Sequence, residues 1–136
     1  MNNRRPIVYI VDDDASICLA LSVLLKSSGF KVETFTRAKD FLAFKRSKKP
    51  SCLVLDIQLP DINGLALQEA MAARQLTVPI VFITGHGDIP MSVKAMKAGA
   101  IDFLTKPFNV KQLLKTITLA ISKNKTQNKE NRNRGY

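Results

Sequence analysis

Five times in succession a short apolar run suited to a strand is followed by a segment whose apolar residues return every three or four positions. "PIVYIV" at 6–11 is β-branched and ends in acids, and "ASICLALSVLLKSSGF" after it places Ile17, Ala20, Leu21, Leu24 and Leu25 at helical spacing before stopping at Gly29. "KVETF" alternates as a short strand, and "RAKDFLAFKRS" carries a helical stripe at Ala38, Phe41, Leu42 and Phe44. "SCLVLDI", "VPIVFIT" and "IDFLT" continue the strand series, and "GLALQEAMAARQL", "IPMSVKAMKAGA" and "NVKQLLKTITLAISK" the helical one. Such alternation predicts an α/β fold with a single parallel sheet, because parallel strands need crossover connections, and right-handed crossovers put helices on both faces. Strands covered on both faces should be uniformly apolar, as "IVYIV", "CLVL" and "IVFI" are, whereas the more polar "KVETF" belongs at an edge. The predicted architecture is therefore a five-stranded flavodoxin-like (βα)5 fold of order 2-1-3-4-5.

With 136 residues the chain suits one domain, and no apolar run approaches the roughly 18 residues of a membrane span, so a cytoplasmic protein without membrane contact is expected. The net charge of +10 is unevenly spread: residues 122–136, "SKNKTQNKENRNRGY", carry +4 of it with almost no apolar side chain. That composition predicts a basic tail or linker, disordered or only partly helical. The tail lacks aromatic interleaving, zinc-finger spacing and room for a helix-turn-helix, so DNA binding would need a further output domain. Cys18 and Cys52 lie in apolar periodic segments without CxxC spacing and are expected to be buried, reduced thiols.

In a flavodoxin-like sheet, ligands bind beyond the carboxyl ends of the central strands, at the switch between strands 1 and 3. Strand 1 ends at Asp12 and Asp13, strand 3 at Asp56, strand 4 at Thr84 and strand 5 just before Lys106, so these residues should share one rim. Carboxylates so close raise one another's pKa unless a cation compensates them, and hard oxygen ligands open to water favour magnesium. A metal beside a carboxylate, a hydroxyl and a lysine suits phosphoryl transfer. Neither GxxxxGK[ST] nor GxGxxG is present to cradle a nucleotide, so the phosphate should come to the protein itself, with a strand-end aspartate as nucleophile.

"VDDD", "LDIQLPDINGL", "ITGHGD" and "DFLTKPF" stand in order along the chain. In these four motifs, and over residues 5–121, the sequence resembles the receiver domain of two-component response regulators, and "ITGHGDIPMSVKAMKAGAIDFLTKPF" resembles its FixJ branch, whose members usually carry a LuxR-type helix-turn-helix. The resemblance implies that Asp56 is the phosphoacceptor for a partner sensor histidine kinase. It makes Asp13, Asp56 and the Gln58 backbone carbonyl ligands of Mg2+, for which Mn2+ can substitute, with Asp12 acting through water. Thr84 and Lys106 would bind phosphoryl oxygens, and Phe103 would turn into space vacated by Thr84, remodelling a face of the fourth helix and fifth strand. It further implies a cis Lys106–Pro107 bond, tuning of phosphoryl lifetime at Gln58 and His86, and phosphorylation-dependent homodimerisation through that face. Phosphotransfer and autodephosphorylation would be self-catalysed, without turnover of outside substrates.

The remaining residues have plainer expected roles. Asp14 should cap the first helix, Asp61 and Asn63 belong to a turn with helix capping, "KRSKKP" at 45–50 is a solvated loop, and Met91 and Met96 pack. Other functions fit less well. A stand-alone receiver acting by protein contact is the nearest alternative; a magnesium-dependent phosphatase would need a proton-transferring Asp where Gln58 stands; and a flavin carrier would need a phosphate-binding loop where the acids stand.

Overall fold

Strict alternation of strand and helix holds in the computed structural model, which describes residues 5–46, 48–85 and 89–134, with side chains through residue 126. The elements are β1 (Ile7–Val11), α1 (Ala15–Ser27), β2 (Lys31–Phe35), α2 (Ala38–Ala43), β3 (Ser51–Asp56), α3 (Gly64–Ala73), β4 (Ile80–Thr84), α4 (Ile89–Lys97), β5 (Asp102–Thr105) and α5 (Val110–Arg134). Every strand pairing is parallel and the order is β2-β1-β3-β4-β5, as the sequence pattern predicts. β1, β3 and β4 are buried along their whole length, whereas Lys31 and Thr34 of β2 face solvent at the edge.

The pleat sends alternate side chains to opposite faces and so builds two cores. Tyr9, Leu53, Leu55 and Phe82 pack with Phe41 of α2, Leu67 and Met71 of α3 and Ala95 of α4. Val8, Ile10, Val54, Val81 and Ile83 pack with Leu21 and Leu25 of α1 and Leu113 and Ile117 of α5. Each fully buried large side chain stabilises by about 1.5–3 kcal/mol, so both helical layers are firmly held. Edge-to-face contacts of Tyr9 and Phe35 with Phe41, at 5.5 and 5.6 Å, tie α2 to the sheet edge.

Asp14 caps α1 as expected, accepting from the backbone N–H of Ser16 at 2.9 Å and of Ile17 at 3.3 Å. The buried face of that helix is Cys18, Leu21 and Leu25, which leaves Ala20 exposed although it lies in the apolar stripe. Cys18 and Cys52 are free and buried, and burial pushes both thiols up from their ordinary pKa, which keeps them protonated.

Three expectations need correction. Arg46 is not simply solvated: its guanidinium donates to the Phe41 carbonyl at 2.6 Å and lies 5.1 Å from the Phe41 ring centroid, closing the last turn of α2. Met96 is 44% exposed rather than packed, whereas Met91 does pack against the core. The segment beyond residue 121 continues α5 to Arg134, and Asn124 within it is buried. Its polar composition hid that the buried positions of α5 pass from Leu113, Ile117, Ala120 and Ile121 to Asn124 at helical spacing. Among the described residues no helix is long and apolar enough to cross a membrane.

Candidate functional site

The carboxyl ends of β1, β3 and β5 bring Asp12, Asp56 and Lys106 together. Asp12 leaves β1 with its N–H bonded to the Phe35 carbonyl at 3.0 Å, and its Oδ1 accepts the Asp14 N–H at 2.9 Å. Asp56 ends β3, and its Oδ1 accepts the Gln58 N–H at 3.0 Å. Lys106 follows β5: its N–H donates to the Thr84 carbonyl at 2.7 Å, and its peptide bond to Pro107 is cis. Its Nζ reaches across the rim to Asp12 Oδ2 at 2.9 Å and Asp56 Oδ2 at 3.3 Å. One carboxylate oxygen from each of Asp12, Asp13 and Asp56 lies within 4.8 Å of the others. Asp12 is 0% and Asp56 6% exposed, whereas Asp13 opens to solvent.

This crowding has electrostatic consequences. Burial, joined by the negative charge of Asp12, pushes the Asp56 carboxyl above its usual range against the opposing pull of the Gln58 N–H and Lys106. Burial works against the Lys106 ammonium, but its hydrogen bond to Asp12 and the charges of both carboxylates outweigh that and hold it above the ordinary lysine value. Among the described residues, three carboxylates against one ammonium leave two excess negative charges at the rim. Hard oxygen donors with that balance suit a divalent cation.

The loop after β3 makes the Asp56 geometry possible, and sequence reasoning missed its key residue. Gln58 and Asn63 form an antiparallel bridge, and the Gly64 N–H donates to the Ile57 carbonyl at 2.7 Å, folding the start of α3 back onto the strand end. A Cβ on Gly64 would lie 2.8 Å from the Asp56 carbonyl oxygen and 2.9 Å from Ile57 Cα, so only glycine permits this approach without displacing backbone. Asn63 caps α3 through the Leu65 N–H at 2.7 Å, as expected of a capping turn. Asp61 instead caps a helix far away in sequence: its carboxylate accepts from Ala38 at 3.1 Å and Lys39 at 2.9 Å, at the start of α2. The N-cap residue there, Arg37, offers no side-chain bond of its own.

The other predicted residues are placed unevenly. Thr84 is fully buried at the end of β4, one residue past Ile83, which is the register partner of Asp56. Phe103 of β5 is partly buried, its ring 6.0 Å from that of Phe82. Gln58 presents an exposed side chain beside Asp56. His86 lies outside the described residues. Carboxylates, an ammonium and oxygen donors suited to a cation thus sit at one rim, a set that could bind a phosphoryl group.

The family model for "Response regulator receiver domain" matches residues 8–118. The chain belongs to the response regulator receiver domain family. It is 47% identical over 131 residues to the response regulator protein TmoT of Ectopseudomonas mendocina, covering 96% of this chain and 59% of that protein. It is 43% identical over 114 residues to the transcriptional regulatory protein FixJ of Bradyrhizobium diazoefficiens, covering 84% of this chain and 56% of that protein. The solved structure of the response regulator StyR superposes with a TM-score of 0.90 at 47% identity, covering 96% of this chain and 66% of that one. FixJ-N superposes with a TM-score of 0.77 at 39% identity, covering 85% of this chain and 93% of that one. The receiver domain is thus similar to that of FixJ, and the chain spans little more than half the length of TmoT and of FixJ.

Proposed function

We propose that Asp56 accepts a phosphoryl group from a phosphohistidine on a partner sensor histidine kinase. The reading is carried by the Lys106 ammonium, held between two buried carboxylates at the strand ends and 3.3 Å from Asp56. A carboxylate oxygen of Asp56 attacks phosphorus and forms an O–P bond while the N–P bond of the phosphohistidine breaks, the imidazole leaving with the electron pair. The Gln58 N–H fixes the carboxylate, and Lys106 and the Thr84 hydroxyl offset charge on the phosphoryl oxygens.

The donor set fits Mg2+, or Mn2+ in its place: Asp13, Asp56 and the Gln58 carbonyl as direct ligands, with Asp12 acting through water. Both Asp12 oxygens already accept hydrogen bonds, from the Asp14 N–H and from Lys106, which supports its outer role. When bound, the ion supplies the positive charge that the rim lacks and that a phosphoryl group needs.

Phosphorylation replaces the single charge of the Asp56 carboxylate with an acyl phosphate of about −1.5 to −2 that carries three further acceptor oxygens, drawing Thr84 inward and admitting Phe103 to the space behind it. The face of α4 and β5 then changes and pairs with a second copy. Exposed Ile89, Val93 and Met96 on α4, at 78%, 45% and 44%, supply an apolar surface for that pairing. Gln58 and His86 set phosphoryl lifetime by controlling water access. The domain works in the cytoplasm as a switch, with at most self-catalysed phosphotransfer and autodephosphorylation, and controls transcription through a DNA-binding output domain outside this chain. The longer relatives named as response or transcriptional regulators support that output.

Incubation with Mg2+ and acetyl phosphate should add one acid-labile phosphate to the wild-type chain and none to Asp56→Asn. Undiminished labelling of the variant would refute the assignment.

A further inference from the structure

We infer that Asn124 is a backbone surrogate that adds one rung to the β3–β4 ladder and so fixes the direction in which α5 leaves the domain. The register pairs Leu53 with Ile80, and the Leu53 N–H donates to the Pro79 carbonyl at 2.8 Å. One rung earlier, parallel geometry would aim the Ser51 N–H at the Thr77 carbonyl. At that point the chain turns away toward α3, and the carboxamide of Asn124 stands between the two groups. Its Oδ1 accepts the Ser51 N–H at 2.8 Å, and its Nδ2 donates to the Thr77 carbonyl at 3.4 Å. A carboxamide offers the same acceptor and donor as a peptide group, so it can stand in for the missing backbone.

Burial makes the bridge consequential. Asn124 and Ser51 are each 3% exposed, and a buried N–H or carbonyl left without a partner is destabilising. Ser122, Lys123, Lys125 and Thr126 around Asn124 are all exposed, so Asn124 is the side chain of this stretch that enters the domain. The strands it clasps carry Asp56 and Thr84 at their opposite ends. The same strand pair therefore meets the functional rim at one end and the departing helix at the other. The chain beyond Ile121 begins as a docked extension of the domain on a set axis, rather than as a free tether. The clasp is independent of the phosphoryl chemistry, and its test can fail while the Asp56 assignment stands.

Amide hydrogen exchange followed by NMR on the full chain decides it. In the wild type, the Ser51 amide should exchange as slowly as strand-interior amides, and those of residues 122–126 as slowly as those of 113–121. Asn124→Leu keeps the bulk and loses both bonds, and Asn124→Ala loses the bulk as well. Both should speed exchange at Ser51 and from residue 122 onward by at least about tenfold, the loss of protection expected when a local unit opens, with 113–121 unchanged. Wild-type rates in Asn124→Leu would reduce Asn124 to a packing residue and overturn the inference. Wild-type amides beyond 121 exchanging at unstructured rates would overturn it without any variant.

Discussion

Gly64→Ala would press on the phosphoacceptor from behind. The added Cβ would start 2.8 Å from the Asp56 carbonyl oxygen and 2.9 Å from Ile57 Cα, whereas ordinary contact begins near 3.4 Å. Both neighbours are backbone, so no side chain can swing aside, and the end of β3 or the start of α3 must retreat by the difference of 0.6 Å between 2.8 and 3.4 Å. Overpacking of this kind costs about 1–3 kcal/mol. A displacement of 1 Å at a reacting group costs about 100-fold in rate, so a shift of this size should slow phosphorylation by about tenfold. Gly29→Ala is the control: Gly29 has φ 95° but no heavy atom within 4 Å of the added Cβ. Its cost is backbone strain alone, about 1–2 kcal/mol, with no route to Asp56. Urea unfolding and the initial rate of phosphorylation from acetyl phosphate separate the two effects. Gly29→Ala should lose stability at an unchanged rate, whereas Gly64→Ala should lose both. A Gly64→Ala protein phosphorylated at the wild-type rate would show that the close approach of α3 does not set the position of Asp56.

Lys106→Met leaves the Asp12 and Asp56 carboxylates facing each other without a counter-charge; the loss should be about 2–3 kcal/mol, below the 3–5 typical of a broken buried pair because Lys106 is partly exposed, and urea midpoints should recover as pH falls and a carboxylate takes up a proton. Because the folded-state pKa of Asp56 is raised, the native state holds its proton more tightly than the unfolded chain does. Its ionisation thus costs stability as pH rises from the ordinary carboxyl value through the folded one, and Asp56→Asn should gain relative to wild type across that window in thermal melts. Magnesium at about 100 times its dissociation constant should raise wild-type stability by about 2.7 kcal/mol, and Asp13→Asn should lose most of that response in melts with and without the ion. Val93→Asp on the exposed α4 face should leave phosphorylation intact and abolish phosphate-dependent self-association in sedimentation; equal association in variant and wild type would remove α4 from the interface.

Much of this was legible because strand burial and strand ends leave strong local signals. Continuous apolar runs mark β1, β3 and β4, the polar "KVETF" marks the edge, and the strand-end rule takes Asp12, Asp56 and Lys106 to one rim. Features that depend on distant partners were not legible. Asp61 caps a helix that begins 23 residues earlier, and nothing in the turn around it points there. Gly64 reads as an ordinary turn glycine until the Asp56 backbone is seen against it. Arg46 closes α2 from within what reads as a solvated basic run. Asn124 stands in a polar, basic stretch whose composition resembles a linker, and a single buried carboxamide carries no periodic apolar signal.

The phosphoacceptor itself can be read chemically by borohydride trapping of the phosphorylated chain and peptide mass spectrometry, since an aspartyl phosphate is reduced to homoserine. Homoserine is expected at position 56, with unchanged aspartate at 12 and 13. Homoserine at either of those positions, or at none after Mg2+ and acetyl phosphate, would mean that Asp56 is not the residue that takes the phosphoryl group.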